Sequence, residues 1–410
     1  MNLEYFIAKR LTAAKSHKSS VSSPIIKIAT VAIALGILMM IISVATGIGL
    51  QRKIREKVSA FNGHVIISNF DDNQSQVNTV PISTNQNFYP KFNLVDGIKH
   101  IQAVANKTGL IRTEETVEGI VLKGVGQDYD WNNIKEYLVQ GKLPKISDQL
   151  TDEIIISEFL ASRLKVKLND VCRTYFLKEG GKGYNLRSFK VVGIFNSGFQ
   201  EFDANYIIGD IKHVQKINKW QKDQVGQFEV FLNDFDKIEE KGNEIYKTIP
   251  PTYNSITIAE KYYSIFEWLK LFDFNIIVIL IVMIVVATIN MVVALLVLIL
   301  ERTQMIGILK ALGATNWSVR KVFLYNAFHL IARGLLWGNV VAIFLLVIQK
   351  YFEVIKLNPQ NYYVNVAPVY IDIPYIIVLN IGTILICIMV LIIPSYIITK
   401  ISPVKVIRFD

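Results

Sequence analysis

The fourteen residues ERTQMIGILKALGA, positions 301–314, decide how the rest of this chain is read. Met305, Ile308, Leu309 and Leu312 recur at i, i+3, i+4 and i+7, which predicts a short helix with one apolar stripe, while Thr303 and Lys310 fall off it. Gly313 suits the position just past a helix C-terminus, and Thr315 suits the N-cap of a following helix. The segment therefore reads as a short amphipathic helix and a tight corner, whose apolar stripe needs a cover. Two covers fit the pattern equally well: lipid headgroups, or a groove in another protein.

Outward from the corner, apolar runs begin on both sides. A bilayer core takes about 20 consecutive apolar residues as a helix, and four stretches meet that length. Residues 28–50 and 276–300 carry no charge, and 373–399 is interrupted only by Pro374, Gly382 and Pro394. The run 322–348 contains His329 and Arg333, which places its hydrocarbon part from about Gly334 onward, with those two side chains at the interface. Buried helices of a soluble core do not account for 51% hydrophobic residues in runs of this length. The first run follows Lys9, Arg10, Lys15, Lys18 and Lys27, as a secretory signal would. It exceeds the roughly 7–15 apolar residues of a signal and lacks a small-residue cleavage site, so it reads as a retained anchor.

Charge sets the orientation, because Lys and Arg beside spans and in short loops stay in the cytoplasm. The net charge of +10 is carried entirely by 1–50, 276–348 and 374–410, whereas 51–275 holds 29 basic and 29 acidic residues and 349–373 holds two of each. The expected layout is a cytoplasmic amphipathic entry helix (1–24), a span (25–50), an outer domain with helical stalks at both ends (51–270) and a second span (272–300). A cytoplasmic loop (301–321), a third span (322–350), an outer loop (351–372), a fourth span (373–399) and a cytoplasmic tail (400–410) complete it. The charges describe a multi-pass membrane protein with both termini inside. Because the basic residues flank spans, they are not the footprint of a nucleic-acid binder.

Within the outer segment, alternating or apolar runs at 64–68, 119–123, 153–156, 189–195, 206–208 and 229–232 predict strands, and 158–164, 211–219 and 237–247 predict helices. The fold class is a membrane protein with four transmembrane α-helices and a large α+β extracytoplasmic (periplasmic) domain between helices 1 and 2. The stretch 71–87, rich in Asn, Gln, Ser and Asp, reads as a loop. QRKIREKV (51–58) extends the first span. Ile258, Tyr262, Ile265, Phe266, Leu269 and Leu271 predict a helix running straight into the second. Between the apolar runs 172–177 and 189–195, Lys178, Glu179, Gly180, Gly181, Lys182, Gly183 and Tyr184 form a glycine-rich, charged hairpin tip, either a projecting contact or an ordinary surface turn.

No chemistry-bearing constellation emerges. The histidines His17, His64, His100, His213 and His329 are dispersed without H-E-x-x-H, and G-x-S-x-G is absent. Cys172 and Cys387 fall in different compartments, giving neither a disulfide framework nor a metal site. Without G-x-x-x-x-G-K-[ST] the chain cannot cradle ATP phosphates itself. It reads as a non-catalytic subunit that binds no cofactor or metal of its own.

The string "ER…IGILKALGAT" between two apolar runs resembles the signature of the FtsX-like, MacB-type permeases of ABC transporters, the group that includes the LolC/LolE lipoprotein-releasing permeases. "GHVIIS" (63–68), "GKLP" (141–144), "EIIISEFLASRLKVKLNDV" (153–171) and "ISPVKVIR" (401–408) resemble further family segments, with Asn169 where a glycine is usual. So does the N-terminal stripe Leu3, Phe6, Ile7 and Leu11. The resemblance implies a permease that docks a separate cytoplasmic ABC ATPase, which carries the ATP and Mg. Glu301, Arg302, Met305, Ile306, Gly307, Ile308, Leu309, Lys310, Leu312 and Gly313 would form the coupling helix in the ATPase groove. It also implies a second permease, identical or paralogous, acting as the other half of a pair.

An outer domain of this size with no ATPase on the chain matches the LolC/LolE branch, which implies release of acylated lipoproteins to a periplasmic carrier captured by the hairpin at 178–184. Met40, Val44, Ala45 and Ile48 on the first span, with Phe272, Ile276 and Ile279 on the second, are by position the candidates for an acyl-chain cavity. Two other functions fit the family: activation of a cell-wall hydrolase by mechanical transmission, and export of a peptide or small molecule with a periplasmic adaptor.

Overall fold

The computed structural model describes residues 3–13, 22–72, 78–178 and 183–401. They form two compact units, one of Met1–Gln51, Leu269–Lys356 and Val366–Asp410 and the other of Arg52–Trp268 with Leu357–Asn365.

The membrane unit is helical. Helices Ser22–Asn62, Tyr263–Glu301, Asn316–Phe352 and Ile373–Ser395 supply four spans long and apolar enough to cross a bilayer. The first and third form the centre of the unit, and their approach depends on two glycines. A Cβ on Gly334 would lie 2.8 Å from Ile33, and one on Gly338 only 2.0 Å from Ile37 and 2.6 Å from the Ala34 carbonyl. This G-x-x-x-G spacing lets two backbones meet where lipid supplies no hydrophobic drive. The third and fourth spans are tied by a reciprocal amide pair, Asn339 Nδ2 to Asn380 Oδ1 at 2.7 Å and Asn380 Nδ2 to Asn339 Oδ1 at 2.9 Å. Helix Leu3–Ala13 packs on the third span through a Glu4–Ser318 hydrogen bond of 2.7 Å and an edge-on Tyr5–Tyr325 contact.

The outer unit is built on twelve strands: β1 (Val65–Asn69), β2 (Ile82–Ser83), β3 (Ile98–Arg112), β4 (Val117–Val125), β5 (Leu138–Gly141), β6 (Glu153–Ser157), β7 (Val171–Leu177), β8 (Tyr184–Phe195), β9 (Tyr206–Asp210), β10 (Gln224–Val225), β11 (Gln227–Leu232) and β12 (Tyr253–Thr257). One sheet runs β12-β1-β11-β3-β4-β9-β6-β8-β5, with β7 bridging β3 and β8, and β2 pairs β10 separately. β4–β9 and β6–β8 are parallel and the remaining pairs antiparallel. Ile154, Ile155 and Ile156 are fully buried, as a short all-apolar run in an interior strand should be. Ser157 and Asp210 end their strands by capping the helices Glu158–Leu164 and Ile211–Asn218. Asn169 adopts φ +73°, a left-handed conformation that asparagine tolerates better than most residues.

Several elements depart from the sequence reading, among them β2, inside the stretch 71–87 expected to be a loop, and the short strands β5, β10 and β12. The long strand β3 was not expected, because its inward positions include Gln102 and Asn106, both buried, and polar residues on the core face erase the apolar alternation. The expected continuous helix over 258–271 is broken at Tyr262 (φ −109°, ψ 43°), between Ile258–Lys261 and Tyr263–Glu301.

Candidate functional site

The corner at 301–314 is held by its own unit. Glu301 closes the second-span helix and Arg302 (φ −102°, ψ 21°) breaks it, so that Thr303–Ala311 starts as a separate helix. Gly313 turns the chain at φ +88°, and the Thr315 hydroxyl accepts from Ser318 N at 3.2 Å to start the third span. Ile306 and Gly307 are buried, and Met305 and Leu309 pack half-buried against the membrane core. The Lys310 ammonium donates to the carbonyls of Ile398 (2.6 Å) and Ile401 (2.8 Å), clamping the helix to the end of the fourth span, and partial burial lowers its pKa. The apolar stripe is therefore divided. Its inner part anchors the helix, while Ile308 (53% exposed) and Leu312 (80%), like Trp317 (51%) in the next helix, stand in the open. A Cβ on Gly313 would meet nothing within 4 Å, so only its backbone conformation demands glycine.

The candidate cavity residues are buried to different degrees. Met40, Val44 and Ala45 are buried and Ile48 half-buried. Val44 and Ala45 line a cavity of about 10 Å³ with Leu346, Tyr370, Tyr375 and Ile376, which neither Phe272 nor Ile279 borders. Phe272, Ile276 and Ile279 are half-buried, and Ile276 lies against the first span, 2.5 Å from where a Cβ on Gly47 would be.

The expected hairpin tip falls partly on Glu179, Gly180, Gly181 and Lys182, which lie outside the described residues. At its base, Lys178 N donates to the Gly183 carbonyl at 3.2 Å, and Gly183 takes φ +93°. Below the tip, Leu177 pairs with Tyr184, and Tyr175 sits between Leu186 and Leu110 across three strands. One face of the sheet thus carries exposed Leu110, Leu177, Tyr184 and Leu186, bordered by the cross-strand neighbours Arg112 and Arg173.

One constellation escaped the sequence reading. In the outer unit the Lys123 ammonium, 2% exposed, bonds Glu229 at 2.6 Å and also the carbonyl of Phe61, in the last turn of helix Ser22–Asn62. Gln102 donates to the other Glu229 oxygen at 2.9 Å. A cation on terminal carbonyls complements the helix dipole, and burial pulls the Lys123 pKa down while Glu229 holds it up. The Tyr262 hydroxyl donates to Asn62 at 3.0 Å, Ile258 N to the His64 carbonyl at 3.0 Å, and Lys57 to the Tyr363 carbonyl at 2.9 Å. The available signal was a lysine inside the apolar strand GIVLKG and a glutamate inside QFEVFL.

Comparison with known proteins matches residues 28–245 to the MacB-like periplasmic core domain and residues 277–403 to the C-terminal model of the FtsX-like permeases. The chain belongs to the FtsX-like, MacB-type permease family. Curated relatives include the lipoprotein-releasing system transmembrane protein LolC of Buchnera aphidicola, 22% identical over 93% of both chains. LolE of Haemophilus influenzae is 20% identical over 84% of this chain and 82% of its own. Among solved structures, the periplasmic region of MacB from Actinobacillus actinomycetemcomitans aligns with 50% of this chain and 92% of its own, at 14% identity and a TM-score of 0.35. This permease is thus a multi-pass membrane protein whose α+β periplasmic core domain lies between its first and second spans.

Proposed function

We propose that this chain is a Lol-type ABC permease subunit that couples ATP hydrolysis on a separate cytoplasmic ATPase to release of acylated lipoproteins from the inner membrane. Both termini and the 301–321 corner face the cytoplasm. The observation that carries the reading is the exposed edge Ile308–Leu312 on a helix whose opposite face and Lys310 are fixed to the membrane unit. Such an edge gives an ATPase groove apolar contacts on a rigid lever, and ATPase motion then moves the spans.

Lipoprotein release needs this drive. Each CH₂ withdrawn from lipid into water costs about 0.8 kcal/mol, so extraction of several acyl chains is far uphill without ATP. The exposed row Leu110, Leu177, Tyr184 and Leu186 beneath the hairpin supports docking of a periplasmic carrier with an apolar opening. The names of the LolC and LolE relatives support the same assignment. The test is copurification: wild type should retain a cytoplasmic ABC ATPase, Ile308→Asp and Leu312→Asp should lose it, and lipoproteins should then accumulate in the inner membrane. ATPase retention by both variants would remove the docking role. Failed daughter-cell separation with normal lipoprotein sorting would instead favour the hydrolase-activating function.

A further inference from the structure

The third span carries a charge on its open face. His329, Arg333, Leu336, Trp337, Val340 and Phe344 recur at helical spacing and so form one stripe along Asn316–Phe352. Arg333 is exposed, as are Leu336 (59%), Trp337 (61%), Val340 (53%) and Phe344 (62%). A different face of the same helix sets Gly334 against Ile33 and Gly338 against Ile37, and that contact gives the depth of the stripe. Arg333 stands abreast of Ala32, five residues past Lys27, the last charge before the apolar run 28–50. At about 1.5 Å per residue its backbone lies about 7 Å inside the hydrocarbon, close enough to the edge for the guanidinium to reach the headgroups.

A cation at that depth needs an anion. Arginine stays charged, and its fork of donors fits phosphate or carboxylate. Among the described residues no carboxylate pairs with Arg333, helix Asn316–Phe352 contains no acid, and Glu4 of the entry helix is bonded to Ser318. The anion therefore comes from outside the chain, as the acid of another protein's span or as the phosphate of a lipid. The rest of the stripe favours lipid. Spans that pack on one another do so through small residues, and on this helix Gly334 and Gly338 already serve the first span, whereas Leu336, Trp337, Val340 and Phe344 offer the broad apolar surface that an acyl chain covers. At the headgroup end the His329 ring lies 5.8 Å from Tyr5, itself 45% exposed, an amphipathic aromatic of the kind found at membrane interfaces. We propose that this stripe binds one anionic phospholipid, with the phosphate on Arg333 and an acyl chain along Trp337, Val340 and Phe344. The leaflet is the cytoplasmic one on the sidedness proposed above, and the site itself does not depend on that sidedness.

The experiment titrates full-length chain in detergent with phosphatidylglycerol and counts bound lipid by native mass spectrometry. One molecule should bind well ahead of the rest. Arg333→Gln should weaken that first site about tenfold or more at unchanged thermal stability, and Arg333→Lys by less. Lys27→Gln, which removes an exposed cation at the boundary of the first span, should leave it unchanged. Trp337→Ala should weaken it about threefold through lost apolar contact, and diacylglycerol, which lacks the phosphate, should not fill it. Equal losses from Lys27→Gln and Arg333→Gln would mean diffuse attraction and overturn the site. Displacement of the lipid by inorganic phosphate, with Trp337→Ala without effect, would make the free anion the ligand. Undiminished lipid binding by Arg333→Gln, together with loss of a copurifying membrane protein, would give the stripe to a protein partner instead.

Discussion

The inner corner and the outer-unit junction solve opposite problems with opposite side chains. At the corner, Ile308 and Leu312 are apolar and left outside; at the junction, Lys123 and Glu229 are charged and enclosed, at 2% and 1% exposure. An exposed apolar edge costs little on its own and becomes stabilising only when a partner covers it. A buried charge pair is tolerated only while each member keeps its partners, so it fixes geometry and penalises any slip. On the proposed function, the difference separates a surface that engages another chain from a joint that holds this one in register.

Four substitutions sharpen that contrast, taken from the largest effect on stability to the smallest. Lys123→Met leaves Glu229 and the Phe61 carbonyl enclosed without their cation and should destabilise the outer unit by roughly 3–5 kcal/mol, read as thermal unfolding of the full chain in detergent. The double variant with Glu229→Met should recover much of this. If the single variant unfolds like wild type, the junction is not a joint.

Lys57 gives a pH signature. Burial lowers its pKa from 10.5 to about 8, so below pH 8 it is protonated in both folded and unfolded states and the folded state bears the full cost of the buried cation. Between about pH 8 and 10.5 the unfolded state binds more protons, so stability rises with pH across that window. Lys57→Met should flatten the rise, by up to ~3 kcal/mol, in matched unfolding series. An unchanged pH profile would remove Lys57 from the buried set.

Gly338→Ile inserts a side chain where Ile37 and the Ala34 carbonyl leave no space, and should cost roughly 1–3 kcal/mol in the membrane unit, read as lowered detergent stability. Leu312→Asp should change stability by less than about 0.5 kcal/mol, since the position is 80% exposed, and yet abolish ATPase copurification. Substantial unfolding by this last variant would erase the distinction between the two regions.

Much of the architecture was legible because its signals are local. The uncharged runs 28–50 and 276–300 declare membrane helices, and EIIIS at 153–157 declares a strand because enclosure on both sides requires an unbroken apolar run. β3 was illegible because Gln102 and Asn106 sit on its buried side: the Gln102 side chain donates to Glu229, and the Asn106 backbone N–H donates to Asn78 Oδ1, both from distant sequence. At the corner, periodicity gave the helix and the turn. It could not divide the stripe, since Leu309 is half-buried and Ile308 exposed only through packing on the membrane unit and the pull of Lys310 on the Ile398 and Ile401 carbonyls. The Lys123–Glu229 pair was hidden for a related reason: a lysine in a strand reads as a solvent-facing residue until its partner, 106 positions away, is known.

The most direct test of the central reading is the sidedness of the corner. A single cysteine at Leu312, in a chain lacking its native thiols, should react with a membrane-impermeant maleimide in inside-out vesicles but not in intact spheroplasts, and the reaction should be blocked when the ATPase is bound. Labelling in intact spheroplasts would place the corner outside the cell and contradict an ATP-driven permease.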